Sequence, residues 1–376
     1  MDGNKRAINW GPPLRILAKA ALLFVLLNLL FALLSPAETL GGLSLYNRLL
    51  PGRLRLPYGE NSALSYNLSL YNLPAMFASQ ALVRPKAADE YRVLLIGDSA
   101  SWGWFLANED SLAGRLNALD LHRADGRRVV VYNVAYPVMS LTKDLMLLDI
   151  ARGYDPDLIL WPVTLESFPR DKQLFAPIVQ NNPERIRQLI AAYDLELDPA
   201  DERFIDPTFW ERTIVGQRRN LADLIRLQLY GFSWAATGID QYIPEEIKPR
   251  RSDFEVDESW QSFDGPVTFS ENDLAWDVLD AGRAVAGELP LLLVNEPMYI
   301  SSGANSELRY NSFYPRWAYD QYRALLAEKT TAEGWTYLDL WDAVAPEEFT
   351  DTPVHLTPAG SRRLAELIAP AILEAD

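Results

Sequence analysis

A serine beside a glycine, two histidines and several carboxylates carry the covalent chemistry available to this chain of 376 residues. Ser99 lies in Val93–Gly103, which reads VLLIGDSASWG. A serine hydroxyl is a weak nucleophile until a base takes its proton. The only histidines are His122 and His355. His122 falls in the polar turn Leu121-His122-Arg123-Ala124-Asp125-Gly126, and His355 falls in Phe349–Gly360, just ahead of the last predicted helix. The element that must position Ser99 is the apolar, β-branched run Arg92–Ile96, the pattern of a buried parallel strand. Gly97 ends that run, and a helix is expected after Asn108-Glu109-Asp110, with apolar Leu112, Leu116 and Leu119. Ser99 therefore sits beyond the carboxyl end of a strand, where open α/β sheets bind ligands. Asp98, directly before it, reads as structural, because a short carboxylate bonds turn amides.

Gly97-Asp98-Ser99 after the first strand, with an Asp/His pair just before the C-terminal helix, resembles the SGNH (GDSL-type) hydrolase superfamily. The resemblance covers roughly residues 92–373, apart from a large insertion. It implies a flavodoxin-like parallel sheet, Ser99 as nucleophile and His355 as base. In the superfamily the acid that orients the histidine lies three residues before it. That position holds Thr352 here, and Asp351 lies one residue further back, with Pro353 reshaping the turn. The acid is thus Asp351 or a distant group. The superfamily's oxyanion donors are the serine amide, a glycine amide after the second strand and an asparagine after the third. The glycine position is Val138, where an amide survives but a backbone angle favouring glycine would be lost. The asparagine position falls in Thr164-Leu165-Glu166-Ser167. An ionised Glu166 only accepts hydrogen bonds, so Glu166 must be protonated to donate, or Thr164 or Ser167 donates instead.

The strands Arg92–Ile96, Arg128–Val134, Leu158–Val163, Pro290–Val294 and Thr336–Leu340 are expected to alternate with helices Ser111–Leu119, Leu141–Arg152, Ala275–Gly287, Ala318–Glu333 and Pro358–Leu373. That alternation predicts a three-layer α/β/α sandwich built on a parallel sheet. Asn295 and Glu296 follow the fourth strand and are candidates for substrate contact. Arg309–Asn311 and Tyr314–Trp317 are either a sugar- or carboxylate-binding group or a packed loop. Between 169 and 274 the alternation stops. Pro183–Tyr193 and Asn220–Tyr230 have helical periodicity, and Trp210, Trp234, Trp260 and Trp276 lie in or beside this stretch. It reads as a mainly helical, cap-like insertion whose aromatics form its own core, a substrate platform or a membrane-touching surface.

The N-terminal part divides into residues 1–13, an apolar segment at 14–35 and a stalk at 36–90 that packs on the domain formed by 91–376. Ile16–Leu34 is interrupted only by Lys19 and Asn28 and is long enough to cross a bilayer. Lys5, Arg6, Arg15 and Lys19 precede or open it, which places the N-terminus in the cytoplasm and the rest outside. A cleaved signal peptide and a buried core helix are the competing readings. Tyr46, Arg48, Arg53 and Arg55 are candidates for the membrane surface, and Asn67-Leu68-Ser69 matches a glycosylation sequon. The net charge of −16 repels polyphosphate and argues against nucleic-acid binding. The lack of cysteine removes disulfides and thiolate chemistry, and two distant histidines make no metal site. No cofactor is expected.

Together these features predict a single-pass, extracytoplasmic Ser–His–Asp esterase or acyltransferase acting on acyl esters. By the resemblance, the ester is carried by a cell-envelope glycan, and a membrane acyl-donor protein is a plausible partner. The altered oxyanion positions favour the other reading, a binding or scaffold protein on the same fold. A nucleotide binder lacks its glycine-rich phosphate loop after the first strand.

Overall fold

The computed structural model describes residues 11–43, 45, 52–58, 72–237 and 248–375. The sequon at Asn67, and Tyr46 and Arg48, lie outside the described residues. In chain order the helices are α1 (Gly11–Leu34), α2 (Ala37–Gly41), α3 (Leu73–Ala78), α4 (Ser99–Trp102), α5 (Leu112–Ala118), α6 (Leu141–Ala151), α7 (Pro177–Gln180), α8 (Pro183–Tyr193), α9 (Arg218–Thr237), α10 (Trp276–Ala286), α11 (Arg316–Ala332) and α12 (Pro358–Glu374). The strands are β1 (Glu90–Leu95), β2 (Arg128–Asn133), β3 (Leu158–Val163), β4 (Leu291–Asn295) and β5 (Thr336–Asp339).

All four strand pairings are parallel, in the order β2-β1-β3-β4-β5. This is the flavodoxin-like order, with its switch point between β1 and β3. Strand residues alternate between two cores. Leu94, Ile159, Trp161 and Leu293 meet α6, α10 and α11, whereas Val93, Leu95, Leu160 and Val294 meet α5 and α12. Burial on both faces explains why β3, β1 from Val93 onward and β4 up to Val294 read as apolar runs. The three-layer sandwich predicted from the alternation is the observed one.

Described residues of the segment before β1 pack on the sheet. Leu56, Leu73, Met76 and Phe77 join the core. Arg53 and Arg55 are not at a membrane surface. Arg53 is buried, and the Arg55 guanidinium lies 4.0 Å over the Trp102 ring and donates to the carbonyls of Gly103 (2.9 Å) and Leu106 (3.0 Å). Burial lowers its pKa to about 10.

The insertion contains α7, α8 and α9, but its second half is not helical: among the described residues, 248–275 have only isolated bridges. Aromatic packing holds that half together. Trp260 and Trp317 cluster with Phe263 and Phe269, and Trp276 packs on Phe168. Trp210 instead stands 73% exposed.

α10 reaches β3 closely only because residue 282 is glycine. A Cβ there would run into the six-membered ring of Trp161. Gly282→Ala is expected to cost roughly 1–3 kcal/mol through overpacking. A urea melt followed by tryptophan fluorescence checks this, and an unchanged midpoint would contradict the close packing.

Candidate active site

β1 ends at Leu95, and the chain turns through Ile96 and Gly97 into α4, whose first residue is Ser99. Gly97 has φ +136°, and a Cβ there would meet the Ser101 side chain, so the turn needs glycine. Asp98, buried, accepts from the Ala100 N–H at 2.8 Å and caps α4. Across the switch point the turn before α12 brings His355 to Ser99: Nε2 lies 2.8 Å from Oγ. On the other side of the ring, Nδ1 lies 2.8 Å from Asp351 Oδ1. An ionised Asp351 only accepts, so Nδ1 carries the proton and Nε2 is the acceptor facing Ser99. Burial pushes the Asp351 carboxyl up, but the imidazole bonded to it outweighs this and holds it below its ordinary value. Trp104 stacks on the imidazole at 5.9 Å between centroids.

The one-residue displacement of the acid has a local cause. The Thr352 hydroxyl turns inward and accepts from the His355 N–H at 3.2 Å. That fixes a tight turn in which Asp351, four residues before the histidine, faces the ring. Thr350 Oγ1 donates to the Asp351 carboxylate at 3.1 Å and completes the support.

Two backbone donors of the turns after β1 and β2 are left unbonded. Among the described residues, neither the Ser99 nor the Val138 N–H has a protein acceptor. The backbone angle expected to disappear with the glycine is kept: Val138 has φ +86°. A β-branched residue in that region is strained, by about 1–3 kcal/mol. The loop that imposes it is tied down by a residue that the sequence pattern did not single out, Lys143. Its ammonium is fully buried and donates to the carbonyls of Gly97 and Tyr136, each at 2.6 Å. One cation therefore holds the loops carrying both free amides. Its counter-ion is Asp144 at 2.7 Å, which also accepts from Trp161 Nε1 at 3.1 Å. Burial raises Asp144 to about 6 against the pull of Lys143. The available signal was a Lys-Asp pair inside the apolar helix LTKDLMLLDIA.

The other proposed contacts are committed elsewhere. Thr164 is fully buried, with Oγ1 2.8 Å from the Tyr314 hydroxyl, and Ser167 is buried too. Glu166 is no oxyanion donor, because its carboxylate is taken by Lys172 and by Gln261 Nε2 at 2.9 Å. Asn295 is a core residue, not a substrate contact. It is fully buried, donates to Asp339 at 2.9 Å and faces the hydroxyls of Tyr319 and Tyr322 at 3.3 Å. The stretches around Arg309 and Tyr314 are a packed loop, with all five Arg309 bonds going to backbone carbonyls. His122 is exposed, with Nδ1 2.9 Å from the Asp120 carbonyl, and takes no part.

Glu296 lies near Asp98, buried on the loop after β4. Burial foremost, then the charges of Asp98 and Asp144, push its carboxyl well above the ordinary value. Two carboxyls sharing a dry site cannot both ionise cheaply. Glu296 is therefore the carboxyl driven to its protonated form. Beyond Glu166, an open cavity of about 360 Å³ is lined by Arg251, Asp257, Ser259, Trp260, Gln261 and Phe313, among others.

No family model matches the sequence, and no curated protein matches it. Among solved structures, the chain is similar to a carbohydrate acetylesterase family member from Sinorhizobium meliloti, at 12% identity over 75% of this chain and 96% of that one, TM-score 0.33. It is also similar to the aryl esterase of M. smegmatis, at 12% identity over 76% and 99%, TM-score 0.35. Likeness at this level carries no argument about activity.

Lys143→Met leaves two carbonyls and the Asp144 charge unpaired in the interior. It is expected to cost roughly 3–5 kcal/mol, and Lys143→Met with Asp144→Asn less than the sum of the single losses. Chemical denaturation of the four species tests this; additive losses would break the link. Glu296 gives a pH signature. The native chain holds a proton that the unfolded chain releases above about pH 4.3. Its contribution is therefore complete below that value and falls as pH rises toward the raised native value, by up to about 1.4 kcal/mol per pH unit. Glu296→Gln should flatten this slope, measured as the wild-type minus variant stability between mildly acidic and neutral pH.

Proposed function

We propose that this chain is a membrane-anchored serine esterase or O-acyltransferase. The observation that carries the reading is the Ser99–His355–Asp351 relay, with 2.8 Å at both links. Ser99 Oγ attacks an ester carbonyl and its proton passes to His355 Nε2. Asp351 holds the imidazole in the required tautomer and stabilises the imidazolium. The oxyanion is received by the Ser99 and Val138 amides. Collapse expels the alcohol, which takes the proton from His355 and leaves an acyl-Ser99 ester. Water, or the hydroxyl of a second alcohol, then attacks the ester with His355 again as base.

Support for a glycan ester comes from the cavity beyond Glu166, where charged and amide groups alternate with Trp260 and Phe313. Such walls suit a polyhydroxylated ring. Support for the anchor comes from α1. Its 24 residues span about 36 Å, against about 30 Å for a bilayer core, and it is the one described helix long and apolar enough to cross a membrane. The basic residues at its start favour an extracytoplasmic domain, which fits a partner that supplies acyl groups at the membrane. The absence of an asparagine-type third donor favours the scaffold as second reading.

The test is fluorophosphonate labelling of the full chain in detergent, read by intact mass. Wild type should label once per chain, and Ser99→Ala and His355→Ala should not label. Asp351→Asn should label about 10²–10⁴-fold more slowly, because the tautomer is no longer fixed. A folded wild type that does not label leaves the scaffold reading.

A further inference from the structure

On the reading that α1 spans a membrane, we infer that α9 and the loop before it lie in the lipid surface as a second, interfacial contact of the insertion. Within α1, Asn28 and Ala32, one turn apart, are the buried residues. Asn28 Nδ2 donates to the Phe24 carbonyl at 2.9 Å, and its Oδ1 accepts from the Val215 N–H at 3.1 Å. The polar residue that interrupts the apolar helix is therefore satisfied by the insertion itself, as polar groups at membrane depth require. Asn28 lies six residues before the end of α1 at Leu34, about 9 Å along the axis. The bond at Val215 thus draws the insertion down to the apolar part of α1, not merely to its end.

α9 follows at once. Its inner face is fixed by Leu227, which packs on Ala75. Gln228 donates to the Leu43 carbonyl at 2.7 Å and accepts from the Leu45 N–H at 2.8 Å, on the chain just after α2. The opposite face presents Ile225, Leu229 and Phe232, 60%, 70% and 52% exposed. The spacing i, i+4, i+7 makes one stripe. Trp210 and Val215, in the loop before α9, are exposed as well. This is the pattern of a helix lying in the interface plane, with a tryptophan at headgroup level. Continuity with α1 identifies lipid as the occupant of the stripe.

The chain has no cysteine, so single cysteines report without background. Ile225→Cys, Leu229→Cys, Leu22→Cys and exposed Glu366→Cys are labelled with an environment-sensitive fluorophore in the full chain. Each is reconstituted in phosphatidylcholine–phosphatidylglycerol vesicles, and quenching by nitroxide lipids is read. Quenching at 225, 229 and 22 with none at 366 is expected. Quenching at 22 alone overturns the interfacial contact and leaves the anchor standing. A blue-shifted but unquenched signal at 225 and 229 assigns the stripe to protein, such as a second copy, and also overturns it. No quenching at 22 removes the anchor, and this inference falls with it.

Discussion

The buried ammonium of Lys143 is the constraint around which the candidate-site edge of the sheet is arranged. It touches the carbonyls of Gly97 and Tyr136, so it fixes the turns after β1 and β2 relative to each other. An ammonium in that position is tolerable only with a charge beside it, and Asp144 provides one. Asp144 in turn is held by the Trp161 indole on β3. Three strands are thereby tied to one charge pair, and the two free amides near Ser99 inherit their placement from it. Strain at Val138 is the local consequence. A loop clamped at Tyr136 cannot relax residue 138 into a comfortable region without losing a charge-assisted bond.

The carboxyls around this cation settle into different states for one physical reason. A dry site with one lysine cannot hold three ionised acids. Asp144 has the closest contact with the cation, Asp98 caps α4, and burial foremost, then the charges of Asp98 and Asp144, drives Glu296 to the neutral form. Asp351 lies outside this group, half-buried, and is kept ionised by its own partner, His355.

Much of this was legible in the chain. Apolar runs of strand length alternating with amphipathic helices predicted the sheet, because burial on both faces leaves no other pattern. The meeting of Ser99 and His355 was legible because residue type limits the candidates: there is one Gly-Asp-Ser at a strand end and one histidine before the last helix. Asp351 was legible only as one possibility, since sequence spacing does not reveal that Thr352 folds its hydroxyl back to the His355 amide. Asn295 and Thr164 were misjudged because the end of a strand looks the same in sequence whether its side chain enters the site or the core. Their partners, Asp339, Tyr319, Tyr322 and Tyr314, come from distant positions.

By itself, then, the sequence determined the fold class, Ser99 and His355 as the candidate pair and an apolar helix long enough to cross a bilayer, because each follows from local pattern or from scarcity of residue types. Tertiary structure alone decided which acid reaches the histidine, which amides stay free, that Lys143 organises them and that the insertion meets α1 at Asn28. Those outcomes depend on contacts between segments far apart in the chain, and a hydrogen bond's partner is fixed by where the backbone brings it, not by what lies next to it in sequence.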